Sequence, residues 1–158
     1  MSTRALPASV EVRVKIVSIL AAAGLSAVTS FAHAHVTVSP KEVRRASQDT
    51  YSFNVPAEGA SATTAVELEL PAGVDVLSIE APAAEHAVAR SQGRIVSVRL
   101  SLNIAPGLAR QLALVARSPL SGERVQWKVR QMFADGTHAD WMEEPGSRRP
   151  APVTKLVE

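Results

Sequence analysis

Short runs of alternating apolar and polar residues fill the chain after residue 34, and proline or glycine follows most of them. The pattern is clearest in Val66-Glu67-Leu68-Glu69-Leu70, which Pro71 ends, and in Val98-Arg99-Leu100-Ser101-Leu102. A period of two indicates strands with one buried and one exposed face, as in antiparallel sheets. Roughly seven to nine such strands in ~120 residues predict an all-β fold, a single antiparallel β-sandwich of the immunoglobulin/fibronectin-like type.

The C-terminal segment from Pro145 to Glu158 contains Pro145, Pro150 and Pro152. Proline lacks the backbone N–H that a strand donates to its neighbours, so it is confined to edges and strand starts. We therefore expect this segment to be an edge or a loose end rather than a central strand. The predicted organisation is one domain over residues 35–147, followed by an extended tail over residues 148–158.

The N-terminal segment has the features of a secretory leader. Basic residues between Arg4 and Lys15 precede the apolar run Ile16 to Val28, and Ala32-His33-Ala34 supplies the small residues of a cleavage site. The apolar run is shorter than the ~20 residues that span a bilayer, which favours cleavage over anchoring. Residues 1–34 are predicted to be a cleaved signal peptide, and the mature chain to be periplasmic or secreted without a membrane anchor.

Charge and cysteine content exclude several classes of partner. Residues 1–34 hold three of the seventeen basic residues and one of the fifteen acidic ones, so fourteen of each remain. A net charge near zero without a basic block argues against binding of nucleic acid. The chain has no cysteine, so a metal site would have to use nitrogen and oxygen donors.

Cleavage after Ala34 would place His35 at the mature N-terminus, where one residue offers both an α-amine and an imidazole to a metal ion. If His35–Ser39 pairs antiparallel with Thr50–Pro56, the second strand ends beside His35 and brings Glu58 close. A set of two nitrogens and one carboxylate oxygen suits Cu(II) in a tetragonal arrangement. The register stays open at this point, and Glu58 as an ordinary solvated loop acid is the alternative.

Two further groups of residues are candidates for the site. Trp141 ends a predicted strand, where it either caps the core or forms a wall over a metal, and Glu143 would share its face of an extended strand. His138 and His86 are possible second imidazoles, but surface positions are the simpler interpretation of both. The sequence contains no nucleophilic triad, phosphate loop or H-E-x-x-H motif.

The chain resembles the YcnI-like family of bacterial copper-associated proteins. The resemblance is carried by segments spread over residues 35–153: His35 to Glu42, Phe53 to Glu58, Thr63 to Val74, Asp135-Gly136, Trp141-Met142-Glu143 and Pro150-Ala151-Pro152. It implies an exported β-sandwich that binds Cu(II) through a single-histidine brace, formed by the N-terminal histidine with a glutamate and a nearby tryptophan.

Residue by residue, the resemblance assigns the metal-binding histidine to His35 and the neighbouring tryptophan to Trp141. We prefer Glu58 as the glutamate, because the strand pairing independently returns it to the terminus, and keep Glu143 as the alternative. Two features depart from the family. The chain stops at Glu158 without the C-terminal anchor that many members carry, and Arg148-Arg149 stands where many have an acidic residue.

Three functions remain in competition. The first is an exported copper chaperone or buffer, which binds the copper ion and passes it to another periplasmic or membrane copper protein. The second is an oxidative copper enzyme with an N-terminal histidine, which would need a second imidazole from His138 or His86. The third is a metal-free module for adhesion or assembly. We expect the first function, a protein that is not an enzyme.

Overall fold

The computed structural model describes residues 35–57, 59–82 and 85–158, and the strands in these ranges confirm the predicted all-β fold. Residues 1–34, the predicted signal peptide, lie outside the described residues. The described residues form twelve strands: β1 (Thr37–Ser39), β2 (Glu42–Arg44), β3 (Gln48–Pro56), β4 (Thr63–Glu69), β5 (Asp75–Ile79), β6 (His86–Ser91), β7 (Arg94–Ile104), β8 (Ala109–Arg117), β9 (Arg124–Gln126), β10 (Lys128–Phe133), β11 (His138–Trp141) and β12 (Val153–Val157).

Two antiparallel sheets form the main layers of the sandwich. The first has the strand order β1-β3-β8-β5 and the second has the order β11-β10-β4-β7-β6. Their inward residues follow the predicted alternation, as in β3, where Tyr51, Phe53 and Val55 are fully buried. A two-residue turn at Gln92-Gly93, with positive φ at both positions, connects β6 to β7. Such turns match the right-handed twist of the strands they join.

Part of the excess of strands over the predicted number comes from one alternating run that changes its partners. The residues from Val125 to Phe133 read as a single strand, but the structure divides them at Trp127. The backbone N–H of Trp127 donates to the carbonyl of Pro152 at 2.8 Å. Before this point β9 pairs with β12, and after it β10 pairs with β4 and β11. Because of this division, one alternating run contributes β9 to the sheet with β12 and β10 to the second main sheet.

The expectation for the C-terminal segment is wrong at its end. Strand β12 is the central strand of a third sheet, with the order β2-β12-β9, and it pairs parallel with β2 and antiparallel with β9. This is possible because all three prolines of the segment precede Val153, so β12 keeps its N–H donors. The parallel β2–β12 pair departs from a purely antiparallel fold.

An aromatic cluster occupies the core between the layers. The ring centroid of Trp127 lies 4.8 Å from that of Tyr51 and 5.1 Å from that of Phe53, in tilted and edge-to-face geometry. Aromatic pairs favour such arrangements over face-to-face stacking. Burial, and then the negative charge of Asp49, raise the pKa of the Tyr51 phenol to about 12. Within the described ranges, no helix is long and apolar enough to cross a membrane.

Candidate metal centre

The predicted pairing of the first strand is present and has a defined register. Strand β1 runs antiparallel to β3, with Thr37 opposite Asn54 and Ser39 opposite Ser52. Continued by two residues, this register sets His35 at the level of Pro56. Val36 is buried while His35 is exposed, so the chain enters the sandwich immediately after the histidine.

The imidazole of His35 contacts the indole of Trp141. Their ring centroids are 5.9 Å apart, with an interplanar angle of 59°. Strand β1 is an edge strand of the first sheet and β11 is an edge strand of the second, so the contact joins the two layers at one side of the sandwich. Trp141 is only 4% exposed whereas His35 is an exposed residue, so the pair lies at the boundary between the core and the solvent.

A buried glutamine, Gln131, is hydrogen-bonded to the indole of Trp141. The indole Nε1 of Trp141 donates to Oε1 of Gln131 at 3.2 Å. The Nε2 of Gln131 donates to the carbonyl of Pro56 at 2.8 Å and to Oγ1 of Thr63 at 2.6 Å. Gln131 was not among the site residues predicted from the sequence. Its signal was a polar side chain at an inward position of an alternating run, between Val129 and Phe133.

The two candidate glutamates differ in what the structure describes of them. Glu58 lies outside the described residues, which resume at Gly59 after Ala57. Glu143 is exposed, forms an isolated bridge with Pro150, and its Oε2 accepts a long contact from the N–H of Arg149 at 3.5 Å. Among the described residues, no three histidine, aspartate or glutamate side chains are grouped to hold a metal ion.

The remaining histidines of the described ranges lie away from the contact between His35 and Trp141. His138 is exposed on the outer face of β11, because it is three residues before the inward Trp141 and side chains alternate along a strand. His86 opens β6, at the opposite edge of the same sheet from β11. Four strand spacings of ~4.8 Å make this a separation of roughly 19 Å across the sheet.

Ion pairs cover the outer face of the second sheet near its β11 edge. Arg130 donates to both carboxylate oxygens of Asp140, at 2.7 and 3.0 Å. The hydrogen bonds from Arg130 hold the pKa of the Asp140 carboxyl below its usual range. Asp140 is adjacent to Trp141 in sequence but points to the opposite face, so its carboxylate neutralises arginine rather than facing His35.

The fold and the contact between His35 and Trp141 define a class of protein: an immunoglobulin-like β-sandwich with a histidine–tryptophan pair where its two layers meet. No family profile matches the chain. It is 30% identical over 133 residues to the copper-binding protein CutI of Bacillus subtilis. The match covers 82% of this chain and 65% of CutI, so this chain spans less than two thirds of the length of CutI. This similarity supports the YcnI-like resemblance indicated by the sequence motifs.

One solved structure supports the fold. An uncharacterised protein from Nocardia farcinica with an immunoglobulin-like fold is 28% identical, with a TM-score of 0.67 and coverage of 78% of this chain and 99% of that one. A cohesin module from Clostridium perfringens is more distant, at 16% identity and a TM-score of 0.48, covering 77% of this chain and 95% of the module. The first comparison identifies the sandwich as immunoglobulin-like.

Proposed function

We propose that this chain is an exported copper-binding protein, a chaperone or buffer that carries Cu(II) on a single-histidine brace at His35. The observation that carries the proposal is the contact between the His35 imidazole and the Trp141 indole at the open edge of the sandwich. The copper-binding function of CutI supports it independently. Export and removal of residues 1–34 are part of the proposal, because the brace needs a free amine on His35.

The donor chemistry fits copper. An N-terminal histidine supplies amine and imidazole nitrogens, which suit Cu(II), and Glu58 is proposed to add a carboxylate oxygen. The position of His35 agrees with this role, because its ring is exposed to solvent on one side and backed by the buried Trp141 on the other. A single residue and one carboxylate leave coordination positions for exchange, which favours copper as a transferred cargo. Its recipient is proposed to be another periplasmic or membrane copper protein.

The arrangement favours a carrier over an oxidative copper enzyme. The enzyme would require a second imidazole beside His35. His138 is on the outer face of β11 and its Nε2 lies 3.8 Å from Asp140, while Nδ1 of His86 lies 3.0 Å from the carbonyl of Pro82 at the far sheet edge. Each of these two rings thus has its own partner away from Trp141.

An N-terminal extension tests the proposal most directly. Two proteins are compared: the exported chain beginning at His35, verified by intact mass, and a variant with the five residues Gly-Ser-Gly-Ser-Gly inserted between Ala34 and His35, long enough to keep the new terminal amine from chelating together with the imidazole. The insertion keeps every side chain but converts the His35 amine into an amide. We expect one tightly bound Cu(II) per chain in the first protein and a loss of at least ~10-fold in affinity in the second. Equal binding by both would overturn the brace, and no binding by either would favour the metal-free module.

A further inference from the structure

We infer that Gln131 is the positioning residue of the copper site, a single buried amide that sets where the indole of Trp141 and the end of β3 lie around His35. The inference rests on the proposed function, since it names what organises the same site. Gln131 does not contact His35 and is not a ligand. It is 1% exposed and lies behind Trp141, on the neighbouring strand β10.

The hydrogen bonds define the orientation of the amide. An indole Nε1–H is only a donor, so the Gln131 atom that faces Trp141 has to be the carbonyl oxygen. The amide nitrogen then faces the carbonyl of Pro56, which is only an acceptor, and the hydroxyl of Thr63. Both amide hydrogens are used, so all three neighbours are satisfied by one side chain. No other orientation of the amide satisfies both Trp141 and Pro56.

These partners are the structural elements that surround His35. Trp141 contacts the histidine ring directly. Pro56 is the last residue of β3, at the level of His35 in the β1–β3 register, and Glu58 follows it by two residues. Gln131 therefore links the indole on the second sheet to the end of β3 on the first sheet. It determines the spacing of the two layers at the point where the proposed ligands meet.

Replacing Gln131 with methionine separates this role from simple space filling. Methionine has a similar length and flexibility but neither donates nor accepts a strong hydrogen bond. The Trp141 Nε1–H, the Pro56 carbonyl and the Thr63 hydroxyl would all lose their shared partner. Buried polar groups without partners are strongly disfavoured, so we expect the indole to reorient or the edge to open to water.

The other tryptophan provides a matched control. The Nε1 of Trp127 donates to Oγ1 of the fully buried Thr154 at 3.2 Å, and Thr154 donates in turn to the carbonyl of Pro40 at 3.1 Å. Thr154→Val removes a buried hydrogen bond of the same kind, from an indole to a polar side chain that also binds a backbone carbonyl. It lies in the third sheet and has no bond to Trp141.

The test compares the exported chain beginning at His35 with its Gln131→Met and Thr154→Val variants. Urea unfolding measures stability, and titration with Cu(II) followed by electron paramagnetic resonance measures affinity and coordination. We expect both variants to lose stability. Only Gln131→Met should bind Cu(II) about 10- to 100-fold more weakly and change the copper hyperfine coupling, as expected when a group that orients a ligand is removed. Thr154→Val should stay within about twofold of the parent protein.

The histidine ring provides a second readout that needs no copper. In the metal-free protein we expect the Trp141 indole to shift the NMR signals of the His35 ring protons, because the two rings are in contact. This shift should collapse in Gln131→Met but persist in Thr154→Val. Unchanged copper parameters together with an unchanged His35 shift would overturn the inference. If the parent protein binds no copper, the proposed function fails, while the His35 shift still decides whether Gln131 positions the indole.

Discussion

The imidazole of His35 lies 5.9 Å from the indole of Trp141, centroid to centroid, although His35 leads into β1 and Trp141 ends β11, which are edge strands of different sheets. The contact therefore exists only when both layers are folded and packed. A metal bound at His35 against Trp141 would bind the native state in preference to the unfolded chain. Copper is thus expected to stabilise the fold to an extent set by its concentration and affinity.

Removal of the His35 side chain should abolish tight copper binding. His35→Ala keeps a terminal amine but loses the imidazole and the chelate ring, so the expected outcome is the disappearance of the high-affinity Cu(II) signal in electron paramagnetic resonance. His138→Ala is the control, because His138 is exposed on the opposite face of β11. A loss of one coordinated nitrogen in the control would place a second imidazole on the metal and restore the oxidative enzyme as the leading function.

The two candidate glutamates can be distinguished by paired amide substitutions. Glu58→Gln should weaken Cu(II) binding and shift the copper spectrum while leaving the nitrogen donors in place. Glu143→Gln should have a smaller effect, because Glu143 is exposed and its Oε2 accepts from the backbone of Arg149. Isothermal titration of both variants measures the difference. The opposite order of effects would assign the carboxylate ligand to Glu143.

Copper affinity should fall on acidification. The brace needs an unprotonated amine and imidazole, and in model compounds these groups titrate near ~7.7–8.0 and ~6.5. Protons compete with the metal below these values, so a titration from about pH 8 to about pH 5 is expected to release bound Cu(II). Competition with a chelator of known affinity at each pH provides the measurement. Retention of copper throughout this range would point to a site made of carboxylates alone.

Ionisation of the buried Tyr51 phenol should destabilise the fold at alkaline pH. Its pKa is raised by burial to about 12 from an ordinary value near 10, so the folded state favours the neutral phenol. The contribution to stability is complete below the unfolded pKa and is lost as pH rises from about 10 to about 12. Urea midpoints across this range should fall more steeply for the natural chain than for Tyr51→Phe.

The absorbance of the phenolate provides an independent check on Tyr51, since the chain contains a single tyrosine. We expect the phenolate band to appear late in a titration of the folded protein and near the ordinary tyrosine range in urea. Parallel stability profiles for the parent and Tyr51→Phe would show that the phenol is not the responsible group. The aromatic packing against Trp127 is kept in the phenylalanine variant, so the comparison isolates the hydroxyl.

Several features of the site were accessible from local sequence. The alternation of Val36 and Val38 predicts a half-buried first strand, and its pairing with the strand that ends at Pro56 follows from antiparallel geometry. The position of Trp141 at a strand end is also confirmed. Gln131 was not identified because an inward polar residue indicates only that a partner must exist. Its partners lie on β3, β4 and β11, and local pattern does not name them.

The sequence by itself determined the all-β class, because period-two alternation decides which side chains of each strand are buried. It also indicated a histidine available to a metal if residues 1–34 are removed, since a cleavage signal is a local feature. Only the tertiary structure decided that β12 is a central strand and that Trp141 meets His35. The physical reason is that strand pairing and sheet packing depend on contacts between segments far apart in the chain, and alternation has the same form whichever partner a strand adopts.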